Sequence, residues 1–221
     1  MRCRVVAMAV ASICLLAGMA HAEVQRLYVL DGGRNVGRDQ ARWSPGVNEG
    51  KPIEFSDNCY PIRHDKGLLL WDTGVPDAVA ATADGMVVAN GAITYRRART
   101  LASQLTEVGV TPADVTYVAL SHTHGDHVGN VALFPSSTVL IPGAEYDWAM
   151  AGPNKPAFAA SQKLVKLAGD HDVFGDGSVT ILSTPGHTPG HQSLLVRLPK
   201  TGINHDKPQS DSLRYAPAYY E

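Results

Sequence analysis

The sequence predicts an α/β domain whose functional site lies on the loops that connect its strands. Three observations support this prediction. Short apolar runs typical of strands alternate with segments of helical periodicity. Several of the apolar runs lead directly into polar clusters, and the densest cluster, residues 122–127, begins two residues past the buried run 115–120. Polar clusters at strand ends are typical of sites that loops carry on an α/β scaffold.

Local patterns of apolar and turn-forming residues predict the individual strands and helices. Apolar runs bounded by turn residues predict strands over 24–30, 67–71, 115–120, 139–141, 179–182 and 193–198. Leu101, Leu105 and Val108 share one helical face, which predicts a helix over 100–108, and 161–167 is predicted as a second helix. Thr111-Pro112 resembles a helix cap followed by a first-turn proline.

The first 22 residues are expected to be a cleaved signal peptide. Arg2 and Arg4 form a positive start, residues 5–20 are nearly all apolar, and Ala20-His21-Ala22 offers small residues at a cleavage site. A membrane anchor is the alternative, but the apolar run is short for a membrane span. We therefore expect one domain over residues 23–221 in a periplasmic or secreted protein.

The net charge and the cysteine content of the sequence indicate which classes of partner and which chemistry to expect. Loss of Arg2 and Arg4 from 19 basic residues leaves 17 against 21 acidic ones, a net charge of −4. Without basic clusters, this balance argues against nucleic acid or an anionic membrane and favours a small-molecule substrate. Cys59 would be the sole cysteine, and a lone thiol is more often a small buried apolar residue than a nucleophile. No pattern indicates an oligomeric state.

The segment His122-Thr123-His124-Gly125-Asp126-His127 is the main candidate site. Its three imidazoles and one carboxylate are preferred ligands for a divalent cation such as Zn²⁺. In extended backbone His122 and His124 point the same way, which suits two ligands on one ion, whereas on a helix they would face nearly opposite ways. A polar turn with incidental histidines is the less favoured alternative.

The other histidines differ in their surroundings. His187 follows a predicted strand, on a loop whose two Pro-Gly turns would set its direction, so it is the strongest partner for the cluster. His191 is expected to support a ligand rather than bind metal itself. By spacing alone, His205 would be a solvated tail residue. His64 and His171 lie beside charged residues and are predicted to be solvated turns.

Taken together, residues 122–127 and Thr184-Pro185-Gly186-His187 resemble the metallo-β-lactamase-fold hydrolases. The residues that follow, through His191-Gln192-Ser193-Leu194, resemble the N-acyl homoserine lactonase-like branch. The resemblance implies an αββα sandwich and two zinc ions. His122, His124 and His187 would hold one ion, and Asp126, His127 and His205 would hold the other. It also implies that Asp72 orients the ligand loop, for which a plain strand-ending turn is an equal alternative.

The resemblance implies a zinc-dependent hydrolase that opens cyclic esters, above all the acyl homoserine lactones of quorum sensing. Zinc supplies hydroxide at neutral pH by lowering the pKa of bound water. Asp126 is the expected catalytic residue, guiding a proton to the leaving alkoxide. A β-lactam or thioester hydrolase and an inactive metal-binding remnant are the alternatives. Trp43, Phe55, Tyr60 and Tyr146 are candidates for a pocket wall, although core packing is the favoured use of each.

One family feature is missing from the sequence. The resemblance implies a strand after the His187 motif that ends in an aspartate bridging both metals, but only Ile203 and Asn204 separate Gly202 from His205. We therefore expect about fifty residues to be absent from the C-terminal half, judged against domain size. Loss of the carboxylate would leave one zinc ion as a possibility, and loss of the strand would expose a sheet edge. Asp206 and Asp211 are poor substitutes because neither ends a predicted strand.

Overall fold

The computed structural model describes residues 23–153 and 155–198 and the backbone of Leu213–Ala216. The expected signal peptide, His205, Asp206 and Asp211 lie outside the described residues. The strands are β1 Val24–Leu27, β2 Arg34–Gly37, β3 Ile53–Ser56, β4 Tyr60–His64, β5 Gly67–Trp71, β6 Met86–Val88, β7 Ile93–Arg96, β8 Tyr117–Ala119, β9 Thr138–Pro142, β10 Lys163–Leu167, β11 His171–Asp172, β12 Val179–Ser183, β13 Gln192–Arg197 and β14 Leu213–Ala216. The α-helices are α1 Leu101–Glu107, α2 Gly125–Val128 and α3 Gly143–Ala151.

The strands form three sheets. The largest has six strands in the order β1-β4-β5-β8-β9-β10, and β5, β8, β9 and β10 run parallel. The second is antiparallel, in the order β11-β12-β13-β14. The third is a smaller antiparallel sheet in the order β3-β2-β7-β6.

The six-stranded sheet is buried on both faces, and this explains the continuous apolar run of β5. Leu68 and Leu70 belong to the core cluster that contains Leu101 and Leu105 of α1. Leu69 and Trp71 point the opposite way, into a second cluster shared with Ile181 and Leu194 of the second sheet. Alternate residues of a strand face opposite sides, so β5 joins both cores.

The layers are therefore helix, sheet and sheet, as expected for the predicted sandwich. No residue of α1, α2 or α3 belongs to the described cluster between the sheets. All three described α-helices contribute to the first cluster instead, through Leu101, Leu105, Val128 and Tyr146, so they lie over the six-stranded sheet. Within the described part of the chain, no helix has the length and apolar character needed to cross a membrane.

Most predicted elements are confirmed to within a few residues. The strand at 67–71 has the predicted bounds, and Thr100 caps α1 by accepting a hydrogen bond from Ser103 N. Thr111 and Asp114 form a capping box around Pro112. The helix predicted over 161–167 is wrong, because this segment forms β10 and pairs in parallel with the buried strand β9. Pairing with β9 provides hydrogen-bond partners for the backbone of this segment in its extended conformation. This pairing overrides a spacing of apolar residues that also fits a helix.

The predictions of solvated turns at His64 and His171 are also wrong. The His64 side chain is buried, its ring stacks on Phe174 at 4.1 Å, and its Nε2 lies 3.0 Å from Asp176 Oδ2. His171 is half-buried and pairs with Ile181 in the second sheet. Both histidines lie in strands that the sequence pattern did not predict, so their true neighbours come from distant parts of the chain.

The strand β13 has a neighbour on each side. Sequence analysis predicted that loss of a core strand would expose a sheet edge, without naming the strand concerned. In the described residues β14 pairs with β13 in antiparallel register, with Leu194 opposite Ala216 and Arg197 opposite Leu213. The backbone hydrogen-bonding groups of β13 are thereby paired on both sides, since β12 lies along its other edge.

Candidate metal centre

The candidate ligands lie on loops that leave neighbouring strands at one edge of the sandwich. β5 and β8 run parallel, so Asp72 and Ser121 follow their strands at the same end of the sheet. The backbone N of Gln192 donates to the Ser121 carbonyl at 2.9 Å, which joins the loop before β13 to the loop after β8. The carboxyl ends of parallel strands are the usual place for a site in such folds.

Three imidazole nitrogens converge in the first predicted ligand set. Nε2 of His122 lies 3.0 Å from Nδ1 of His124, which in turn lies 3.0 Å from Nε2 of His187. Ligand nitrogens around a tetrahedral zinc ion are separated by roughly 3.3 Å, given a Zn–N distance of about 2.05 Å. These residues therefore match a zinc ion in donor type, number and spacing.

Asp126 and His127, which were predicted to hold the second ion together with His205, form a second group with His122 in the structure. One ligand atom of each lies within 4.8 Å of the others. Oδ2 of Asp126 lies 4.0 Å from Nε2 of His127, and it accepts a hydrogen bond from Nδ2 of Asn35 at 2.7 Å. Asn35 is 5% exposed and lies in β2, so the small sheet fixes the direction of the Asp126 carboxylate.

Asp72 anchors the ligand loop. Its Oδ1 accepts from the backbone N of Ser121 at 2.6 Å, and its Oδ2 accepts from Ser121 Oγ at 2.7 Å and from Nδ1 of His127 at 2.9 Å. Its backbone adopts a φ of 58°, an uncommon conformation that aspartate tolerates better than most residues. Because Nδ1 of His127 is engaged, its Nε2 is free to bind metal. These contacts support the loop-orienting interpretation over a plain turn.

Glu145 ties the two ligand loops together. This residue, 0% exposed in the first turn of α3, accepts at Oε1 from the backbone N and Oγ1 of Thr123, at 2.8 and 2.7 Å. Its Oε2 accepts from the backbone N of Gly190 at 3.0 Å. One buried carboxylate thus bridges the His122–His127 loop and the His187 loop.

His191 holds the His187 loop closed. Its Nδ1 donates to the Thr184 carbonyl at 3.0 Å, and its backbone N donates to the Thr188 carbonyl at 3.3 Å. Its ring centroid lies 5.5 Å from that of His122. These contacts support the expectation that His191 assists a ligand rather than serving as one.

The histidines divide into two electrostatic groups. Burial lowers the pKa of His122, and the neighbouring histidines lower it further. Burial likewise lowers the pKa of His124 and of His187, which favours in all three rings the neutral form that binds metal. Burial also disfavours the charged form of His127, but Asp72 and Asp126 outweigh it and raise the pKa of His127 to about 10.

The ligands open into a cavity of about 910 Å³. Trp43 and Phe55 line it, with ring centroids 5.0 Å apart, whereas Tyr60 and Tyr146 pack against the two core clusters. Trp148, 43% exposed, stands beside His124 with ring centroids 5.9 Å apart. Further lining residues are Asn35, Val88, Ile93, Tyr95, Pro156 and His191. One wall is thus apolar and aromatic, as a site for a small organic substrate requires.

Of the predicted site residues, the fold brings together His122, His124, Asp126, His127 and His187. Their assignment as metal ligands stays a prediction, and His205 lies outside the described residues. Sequence analysis missed Asn35, Tyr95 and Glu145, which reach the site from other elements. The one available signal was an acidic residue in the first turn of a helix after a buried strand, at Glu145.

Cys59 takes no part in the site. Its side chain is fully buried in the first core cluster, and burial raises the pKa of its thiol well above the ordinary value. A buried, protonated thiol is a weak nucleophile. The expectation of a small apolar core residue is therefore supported.

The family model of the metallo-beta-lactamase superfamily matches residues 53–203 of this chain. This range contains all the predicted ligands except His205. The chain belongs to the metallo-β-lactamase superfamily. This membership confirms the sandwich fold and the expected class of enzyme, a metal-dependent hydrolase of the lactonase-like type.

Two relatives of this metallo-β-lactamase-fold chain are both named N-acyl homoserine lactonases. N-acyl homoserine lactonase AttM of Azorhizobium caulinodans is 32% identical over 200 residues, covering 80% of this chain and 73% of the relative. An N-acyl homoserine lactonase of Bacillus cereus is 30% identical over 190 residues, covering 81% and 73%. The matches thus cover about three quarters of each relative.

Solved structures extend the similarity to three dimensions. A structure of N-acyl homoserine lactone hydrolase, with the product N-hexanoyl-L-homoserine bound at the catalytic metal center, has a TM-score of 0.71 and 28% identity. The match covers 81% of this chain and 73% of that one. A dizinc quorum-quenching lactonase, 19% identical with a TM-score of 0.56, shows the same metallo-β-lactamase fold.

Proposed function

We propose that this chain is a zinc-dependent lactonase that opens the ring of N-acyl homoserine lactones. The convergence of His122, His124 and His187 beside Asp126 and His127, within a cavity that has an apolar wall, carries this proposal. The names of relatives at 28–32% identity agree with it. The apolar wall suits an acyl chain, and the ligand cluster suits the polar lactone head group.

The candidate ligands fall into two sets, and each set would hold one metal ion. His122, His124 and His187 would hold one ion, and Asp126 and His127 would contribute to a second together with His122 or His205. Zinc at these residues would lower the pKa of water towards neutrality and polarise the ester carbonyl. The chain itself favours the neutral form of these three imidazoles and holds both ligand loops through Asp72 and Glu145.

Hydrolysis requires a proton at the leaving group. Water adds to the carbonyl carbon of the ring, the C–O bond to the ring oxygen breaks, and the resulting alkoxide takes up a proton. Asp126 is placed for that transfer, because Asn35 fixes its Oδ2 inside the cavity. Asp126 would take the proton from the attacking water and deliver it to the alkoxide.

Turnover and metal content together test this function. Residues 23–221 would be purified, loaded with zinc and assayed against N-hexanoyl homoserine lactone, a β-lactam and a thioester, with zinc measured per chain. We expect opening of the lactone at a rate that falls at least a hundredfold in His124→Ala. Lys163→Ala, an exposed substitution in β10, is the control and should retain full activity.

Two outcomes would contradict the proposal. Cleavage of the β-lactam or the thioester with no opening of the lactone would assign a different substrate class. Zinc bound at one ion per chain or fewer, without turnover of any substrate, would identify a metal-binding remnant that lacks the bridging carboxylate.

We also propose that the protein is exported. The positive start at Arg2 and Arg4, the apolar run and the small residues Ala20 and Ala22 support a cleavable signal. Expression of the full chain in a Gram-negative host, followed by fractionation and N-terminal sequencing, should recover a periplasmic product that begins at Glu23. A cytoplasmic product that retains Met1 would contradict this.

A further inference from the structure

Tyr95 in β7 places a phenol hydroxyl in the cavity wall. The residue is half-buried and lines the cavity, and no described residue forms a hydrogen bond with its hydroxyl. A Cβ built on Gly125 would lie 3.1 Å from Tyr95 Oη. The hydroxyl therefore stands in the space beside the backbone of position 125, between His124 and Asp126. A hydrogen-bond donor at this place, without a protein partner, is available to a ligand.

The small sheet holds Tyr95 in a fixed row of side chains. β7 pairs with β2 on one side and β6 on the other, so that Tyr95 lies opposite Asn35 and Met86. Asn35 in turn lies opposite Phe55 of β3. Residues opposite one another on adjacent strands share a face, and Phe55, Asn35 and Tyr95 all line the cavity. The row thus carries an aromatic ring, an amide anchored to Asp126 and a free phenol.

An N-acylated lactone has three parts that this cavity can receive: the ring ester, the amide and the acyl tail. The reacting ester carbonyl belongs at the histidine cluster, and the acyl tail belongs against the apolar rings of Trp43 and Phe55. The amide is attached to the ring carbon next to the ester carbonyl, so it lies close to the histidine cluster, where Tyr95 Oη stands beside Gly125. Its carbonyl oxygen needs a donor once it leaves water, because an unpaired buried acceptor is costly.

We propose that Tyr95 is a substrate-binding residue whose hydroxyl donates a hydrogen bond to the amide carbonyl oxygen of the N-acylated lactone. This inference rests on the proposed function and deepens it, because it specifies how the enzyme distinguishes acylated lactones from simple ones. Tyr95 binds the substrate away from the ring that opens. Its loss therefore weakens binding of substrate and transition state alike.

The test compares Tyr95→Phe with the unsubstituted enzyme on two lactones. N-hexanoyl homoserine lactone carries the amide, and an alkyl-substituted γ-lactone of similar length lacks it. We expect Tyr95→Phe to raise KM for the amide substrate about three- to tenfold, as for loss of one neutral hydrogen bond, with kcat nearly unchanged. Kinetics on the amide-free lactone should be the same for both proteins. Tyr146→Phe, a tyrosine that packs outside the cavity, is the matched control and should change neither.

Product binding gives a second measurement that needs no turnover. Calorimetry on zinc-loaded protein should show the same three- to tenfold loss of affinity for N-hexanoyl homoserine in Tyr95→Phe. Zinc content and the far-ultraviolet circular dichroism should match the unsubstituted protein. An equal loss on both lactones, or no loss on the amide substrate, would overturn the proposal.

Failure of the proposed function has a different signature, in which the unsubstituted enzyme opens neither lactone. In that case, the calorimetric measurement of product binding still tests the role of Tyr95 separately from the proposed function. If N-hexanoyl homoserine does not bind to the unsubstituted protein, or if it binds equally to Tyr95→Phe, the role of Tyr95 is overturned as well.

Discussion

Oδ2 of Asp72 accepts a hydrogen bond from Nδ1 of His127 at 2.9 Å, although the two residues are 55 positions apart in the chain. The same carboxylate accepts two hydrogen bonds from Ser121, at the start of the ligand loop. Asp72 thus sets both the path of the loop and the ring orientation of one candidate ligand. A carboxylate that orients a metal-binding histidine in this way raises the affinity of the site for metal.

Asp72→Asn should therefore weaken zinc binding. The amide keeps the shape of the side chain but offers a single acceptor oxygen and no charge. We expect zinc affinity to fall about ten- to a hundredfold, as is typical when a group that orients a ligand is lost. Competition with a chromogenic chelator measures this. Asp147→Asn, which alters an exposed carboxylate paired with Lys166, should leave affinity unchanged. Equal affinity in both variants would show that Asp72 is only a turn residue.

Zinc binding at His127 should depend on pH. The pKa of His127 is raised to about 10 in the metal-free protein, and zinc binds only the neutral ring. Zinc must then displace a proton below pH 10, so affinity for the ion at His127 should increase about tenfold per pH unit from pH 6.5 to 8. Calorimetry in buffers of different ionisation enthalpy should detect about one released proton for this ion. A pH-independent affinity would contradict the prediction.

Glu145→Gln should destabilise the fold and separate the ligand loops. The carboxylate accepts from Thr123 and from Gly190, whereas glutamine would place an NH₂ group against one of these donors. A buried donor without a partner costs about 1–3 kcal/mol. Urea unfolding of the metal-free protein measures the loss. Glu54→Gln, which alters an exposed ion pair with Arg34, serves as the control and should cost under about 1 kcal/mol.

Gly190→Ala tests how closely the His187 loop approaches α3. A Cβ at position 190 would lie 2.4 Å from the backbone N of Glu145, so loop or helix must move. We expect destabilisation of about 1–3 kcal/mol and weaker zinc binding. Gly152→Ala is the matched control, because its Cβ would meet its nearest atoms at 3.5 Å, an ordinary contact. If both variants unfold at the same urea concentration as the unsubstituted protein, the loop tolerates a side chain at 190.

The sequence by itself determined the ligand cluster and the main strands, since both depend on residues close together in the chain. The contiguous His122–His127 segment predicts a metal site without knowledge of the fold, and the apolar run of β5 predicts a strand, which the fold then buries on both faces. His187 was recognised as the partner from its place after a predicted strand, on a loop with two Pro-Gly turns, and the fold places its Nε2 3.0 Å from His124 Nδ1.

Only the tertiary structure decided which residues support and surround the ligands. Asn35 reaches Asp126 across 91 positions, and Glu145 joins two loops that are far apart in sequence. The strand β10 and the burial of His64 were mispredicted for the same reason. Local periodicity reports which side of an element is apolar, whereas pairing partners and buried polar contacts arise when distant segments pack together. The candidate metal ligands could therefore be predicted from the sequence, and the cavity wall beside them could not.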